Sequence, residues 1–193
     1  MRLSSVALLA LPLAIAIAIA PESAQAGTFP SNERPVWIGV GGSGAIAGIE
    51  DSGVGYFNLT LGLRLAPVVP EVTIREGIGR DPTHHITSIA AGARFLMPAL
   101  GILRANVRVA FSHQHELPFP KLLDDPAAAI FGVHPAMTHR TGFETGAGLD
   151  LKLDPKGHIG LFGQVNAIFL PGSEGPPFYV LGELGVSFAV GPA

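Results

Sequence analysis

The side chains with the most chemistry to offer in this 193-residue chain are its histidines and arginines. The stretch LRANVRVAFSHQHE, Leu103 to Glu116, ends in a histidine pair, His113 and His115. Two imidazoles two residues apart on an extended strand share a face, a sound geometry for two ligands of Zn²⁺ or Cu²⁺. His84 and His85 precede the neighbouring strand-like segment and complete the candidate ligand set, while His134 and His139 precede the next one. Glu116, Asp124 and Asp125 could add oxygen donors. The competing readings are a pH-responsive loop and plain polar rim histidines. Ser112 beside His113 is no nucleophile–base pair, because neighbours on a strand point to opposite faces.

The second set is ionic. Arg64, Arg75, Arg94, Arg104, Arg108, Glu144, Asp150, Lys152 and Glu183 each fall on the polar parity of a segment whose alternate positions are apolar. Charges collected on one shared face must pair if that face is enclosed, since an isolated buried charge is too costly.

The segments that would position these groups are strands. In Leu103 to Glu116 one parity holds Leu103, Ala105, Val107, Val109 and Phe111, and the other Arg104, Asn106, Arg108, Ala110 and Ser112. Period-two alternation of this kind reads as a half-buried strand. Seven further segments alternate in the same way: Val36 to Ala47, Tyr56 to Leu65, Glu71 to Gly79, Ile86 to Leu96, Thr141 to Leu153, Ile159 to Leu170 and Phe178 to Val190. In the third of the eight strands Glu76 falls on the apolar face, which predicts a bulge there or an early exit from an apolar environment.

Composition sets the environment. Only 14% of residues are charged, lysine occurs three times and mean hydropathy is +0.42, against about 25% charged in soluble domains. The net charge of −3 gives no basic surface for nucleic acid. The absence of cysteine excludes a disulfide framework and any thiolate site. Residues 1–26 read as a cleaved signal peptide, with Arg2, an apolar run from Val6 to Ala20 broken by Pro12, and a small-x-small site at Ala24-Gln25-Ala26. Residues 27–193 are then one exported domain without an uninterrupted apolar stretch long enough for a membrane helix. Hydrophobic, exported and free of spanning helices leaves a transmembrane β-barrel, because in lipid only helices and closed barrels satisfy their backbone hydrogen bonds.

Connections and aromatic residues agree with an eight-stranded antiparallel up-and-down barrel. Compact Pro/Gly turns follow the even strands, at 66–70, 98–101 and 154–157. Longer segments follow odd strands: Glu116 to His139 and Pro171 to Pro177, although the first loop near Asp51 is short. Phe57, Phe111, Phe143, Phe169 and Phe178 fall on the apolar parity next to the longer loops, with Phe95 and Phe188 near the opposite edge. Two aromatic girdles flanking an aliphatic band suit rings at headgroup level. In such a barrel six of the seven histidines would gather in one extracellular sector. Leu122 to Val133, within the long proline-rich loop 116–139, reads as a short helix or a fold over the barrel mouth.

The pattern resembles the small eight-stranded outer membrane barrels of the OmpA and OmpX type over essentially the whole exported chain. Such barrels usually end on an aromatic residue read by the assembly machinery, whereas here Ala189-Val190-Gly191-Pro192-Ala193 follow Phe188. The resemblance implies an outer membrane protein with lipid and the assembly machinery as partners. The function expected is structural or surface-interacting through the loops, with an extracellular ligand or surface as further partner and no resident cofactor. The lumen charges leave two readings, a salt-bridged plug or a narrow gated pore. Lipid A deacylase barrels carry His-x-Ser near a strand end; here that spacing reads His113-Gln114-His115 or His85-Ile86-Thr87, so no enzyme is expected. The alternative from another class is a soluble lipocalin-like barrel with its apolar face inward around a small apolar ligand.

Overall fold

The computed structural model describes residues 34–48, 54–65, 67–78, 84–130, 132–154, 156–172 and 177–191. Residues 1–26, read from the sequence as a signal peptide, and the first loop near Asp51 lie outside the described residues. Eight strands follow in order: β1 (Val36–Ala47), β2 (Gly55–Leu63), β3 (Val68–Ile78), β4 (His84–Leu96), β5 (Leu103–Pro118), β6 (Thr138–Lys152), β7 (Ile159–Phe169) and β8 (Phe178–Val190). Each pairs antiparallel with its sequence neighbours, and β1 also pairs with β8, through Val36↔Val190 to Gly44↔Gly182 and beyond. This closes the sheet into a barrel with no free edge. Among the described residues no helix is long and apolar enough to cross a membrane.

The alternation read from the sequence becomes the inside and outside of this barrel. On the wall Leu61 and Val165 are 50% and 51% exposed, while Arg75 and Arg108, on the other parity, are each 1% exposed. The faces are therefore reversed relative to a soluble barrel, and the lipocalin-like alternative, which needs its apolar parity inside, does not describe this chain. Register places Phe111 opposite Phe143, Phe143 opposite Phe169 and Phe169 opposite Phe178, so four phenylalanines form one continuous row across β5–β8. Phe143 and Phe169 touch, with ring centroids 5.2 Å apart.

Strand ends differ from the sequence reading in three informative places. β3 starts at Val68 and not at Glu71, since Leu65 bridges Val68 across a tight turn and Pro70 is accommodated near the strand's start. β5 and β6 run further toward the loop end than the apolar pattern does, pairing as far as Glu116↔Thr138. Antiparallel pairing outlasts the apolar pattern, and His139 is thereby drawn into β6. Finally, of the bulge or early exit expected at Glu76, no bulge occurs: register is uninterrupted through Phe57↔Glu76 on one side and Glu76↔Thr87 on the other, and Glu76 lies two residues before the strand's end at Ile78. Its carboxylate stays on the outer wall, accepting from Thr87 Oγ1 at 2.9 Å and meeting His85 Nε2 at 2.9 Å. That local pairing removes the need to distort the strand.

The long connection between β5 and β6 forms two short helices, α1 (Phe119–Asp124) and α2 (Pro126–Ile130). It lies against the outer wall and not over the mouth. Leu117, on the outward parity of β5, is only 1% exposed, and Leu122, Ala129 and Met137 face outward residues Glu76, Thr87 and His115 across a groove of about 400 Å³. The proline-bounded apolar segment uses Leu117 and the adjacent wall as its packing surface, which leaves the mouth to inward-facing side chains.

Candidate functional site

Two constellations carry the chemistry: a charged network inside the barrel and a histidine cluster on its outer rim. The network is built by inward residues of six strands. Arg75 on β3 grips Glu144 on β6 with both terminal nitrogens, at 3.0 and 3.2 Å. A second carboxylate, Glu183 on β8, stands 3.7 Å from Arg75. Arg108 on β5 pairs with Glu144 and with Glu71, and donates to Thr73 Oγ1 at 3.2 Å. Arg94 on β4 donates through Nε to Glu71 at 2.9 Å and lies 3.6 Å from Asp150. Each of the three guanidiniums thus faces two carboxylates. Uncharged inward groups extend the network: Asn166 donates to Glu183 at 3.3 Å, Asn106 to Asp150 at 3.0 Å and Arg94 to Gln164 at 3.3 Å.

Above and below this layer the lumen is filled differently. At the loop end Val54, Tyr56, Ile86, Ile168, Leu170, Tyr179 and Leu181 form a buried apolar cluster. Tyr179 resolves its hydroxyl by donating to Gln114 at 2.8 Å. At the turn end the Arg94 guanidinium stacks 4.3 Å from the Trp37 ring centroid, and Trp37 meets Phe162 edge-on. Glycines make the room: a Cβ on Gly39 would lie 2.7 Å from the Trp37 ring, and one on Gly185 2.6 Å from that of Phe162. Arg64, Arg104 and Lys152 line a cavity of about 30 Å³ beside Trp37 and Asp150.

The histidine cluster is set by register. His115 on β5 lies directly opposite His139 on β6, and His113 is two residues along β5 on the same face. The three rings pack with centroids 4.5, 4.7 and 5.7 Å apart, and one nitrogen from each falls within 4.8 Å of the others. The cluster lies beyond the Phe111–Phe143 row, outside the aliphatic band. His113 and His115 are half-buried and His139 is exposed.

Of the four candidate ligands His113, His115, His84 and His85, the structure brings His113 and His115 together and places His84 and His85 apart from them. Pairing of β4 with β5 puts Thr87 beside His115 and Ile89 beside His113. His85 therefore sits a step further along, where it bonds Glu76 and packs 5.9 Å from the Phe119 ring. His84, one residue away, belongs to the opposite parity. The third partner is instead His139. The two arrangements weighed for hydrolysis do not form either. Ser112 is fully buried in the lumen while His113 faces out, and Thr87 donates to Glu76 and not to an imidazole.

No family model matches the sequence, and no curated protein matches it significantly. Solved structures do match in shape. The N-terminal β-barrel domain of Pseudomonas aeruginosa OprF aligns with a TM-score of 0.56 and 16% identity, covering 81% of this chain and 97% of that one. Neisserial surface protein A aligns with a TM-score of 0.54 and 12% identity, covering 80% and 97%. The fold is that of the small eight-stranded outer membrane barrels. An eight-stranded barrel is narrow enough for side chains to span its interior, and here inward polar residues of opposite walls meet one another, as Arg75 and Glu144 do.

Two network residues escape the sequence reading of lumen charges. Glu71 is 3% exposed and serves two arginines; its parity with Thr73 and Arg75 was the available signal. Arg140, 5% exposed, donates to the Leu170 carbonyl at 2.8 Å, and a later assumed start for β6 hid its parity with Glu144. The loop also contacts the histidines through Gly132, whose φ of +69° suits glycine. A Cβ there would lie 2.6 Å from His115 Cε1. Gly132→Ala is expected to loosen the loop, because the left-handed backbone alone costs a side chain about 1–2 kcal/mol. Limited proteolysis checks this: cleavage between residues 119 and 137 should accelerate while the barrel core stays resistant.

Proposed function

We propose that this protein is an integral barrel of an outer membrane, delivered by the segment 1–26 and inserted by a barrel assembly machinery. Its lumen is closed and its work is done at the loop end. The observation that carries the reading is the filled interior: a buried arginine–carboxylate layer beneath a buried apolar layer. A wall of exposed aliphatic residues below the phenylalanine row supports the lipid environment, because such a surface in water would be an aggregation site. With the interior occupied, contacts to an extracellular ligand or surface fall to the loop of α1 and α2 and the groove it forms against β4 and β5.

The test uses the folded chain in planar bilayers and liposomes. Folding is first established by a faster-migrating unheated band in SDS gels. The expected result is an absence of discrete conductance steps, and steady steps from the wild-type barrel would overturn the closed lumen. Deleting residues 118–136 should leave the gel shift intact and abolish surface binding or adhesion. Unchanged adhesion in that variant would remove the loop from the proposal.

A further inference from the structure

We propose that His113, His115 and His139 form a binding site for a single divalent transition-metal ion, Zn²⁺ or Cu²⁺, on the outer wall at the loop end. The site is independent of whether the lumen is closed. Its geometry comes from two rules of antiparallel sheets acting together. Residues two apart on one strand share a face, and a residue directly opposite on the next strand is the nearest cross-strand neighbour. His113 and His115 satisfy the first and His115 and His139 the second, so the backbone itself holds three imidazoles in a triangle. Their ligand nitrogens already lie within 4.8 Å of one another. Zinc–imidazole bonds of about 2.0–2.1 Å need those nitrogens roughly 3.4 Å apart, a closure of about 1 Å per ring that side-chain torsions supply.

The donor set selects the ion. Three neutral imidazoles suit Zn²⁺ and Cu²⁺, whereas Ca²⁺ and Mg²⁺ call for oxygen ligands. The adjacent carboxylate, Glu76, is engaged by His85 and Thr87, which leaves the triangle all-nitrogen. Its surroundings are asymmetric. Gly132 of the loop closes over the His115 ring, while His139 is exposed. Three protein ligands with one open side leave a coordination position for water or for a donor group on an incoming molecule. Because His115 also lines the groove under the loop, a bound ion would tie the β5–β6 hairpin to the proposed contact surface.

The experiment is isothermal titration of ZnCl₂, and in parallel CuCl₂, into the full folded barrel in detergent, purified without a polyhistidine tag. One ion per chain with a micromolar or tighter dissociation constant is expected. Loss of a partner outside the ligand shell already weakens metal sites by about 10–100-fold. His113→Ala, His115→Ala and His139→Ala should therefore each weaken binding at least tenfold, and His84→Ala and His158→Ala should not change it. Electron paramagnetic resonance of the Cu²⁺ form should show coupling to three nitrogens. The unheated gel band verifies folding of every variant, and His139→Gln replaces any alanine variant at that position that fails to fold. Absence of saturable binding, or affinity unchanged by loss of His139, would overturn the site, while leaving the barrel and its lumen untouched.

Discussion

Glu144→Ala is expected to destabilise the folded barrel by about 3–5 kcal/mol, the range for breaking a buried ion pair by removing one partner. Glu144 is 1% exposed and receives both Arg75 and Arg108. Its removal leaves two buried guanidiniums short of counter-charge, with Glu183 at 3.7 Å from Arg75 and Glu71 beside Arg108 as their carboxylate partners among the described residues. Glu144→Gln keeps one acceptor oxygen, replaces the other with an NH₂ donor and removes the charge, and should fall between wild type and alanine. Urea unfolding in detergent measures this, followed by the fluorescence of Trp37, the single tryptophan. Pairing Arg75→Met with Glu144→Leu should cost less than the two changes summed, since each then removes the charge the other strands. A loss under about 1 kcal/mol for Glu144→Ala would mean that the network is solvated and that the closed-lumen reading is wrong.

Val165→Arg is the second large effect, and it tests the environment of the wall. Val165 lies on the outward parity of β7, midway between the phenylalanine row at Phe169 and the turn end at Ile159, and is half exposed. At the centre of a lipid bilayer an arginine on the outer face costs about 2–4 kcal/mol, falling to about 0–1 near the interfaces. Val165→Arg should therefore lower folding stability in lipid vesicles several-fold more than Ile159→Arg. In water both would be ordinary surface substitutions, within about 0.5 kcal/mol of wild type. Equal, small effects at the two positions would contradict a membrane-embedded wall.

What the sequence alone determined is whatever depends on neighbours along the chain. Alternation in Tyr56 to Leu65 or Leu103 to Phe111 is a local, period-two signal, so eight strands, their inner and outer faces and the placing of phenylalanines at strand ends could all be read from residue order. The inward placement of Arg75, Arg94, Arg108, Glu144 and Glu183 followed from the same parity. The tertiary structure decided what depends on closure and register. Arg75 and Glu144 are 69 positions apart, and parity says that both point inward without saying that they meet. Only the stagger of a closed barrel puts them at one height. Register likewise chose His139 over His84 and His85, because a cross-strand neighbour is fixed by hydrogen bonding between strands and not by proximity in sequence. The loop's place on the outer wall was equally hidden. It rests on Leu117, an outward residue whose burial arises only once the segment after it has folded back.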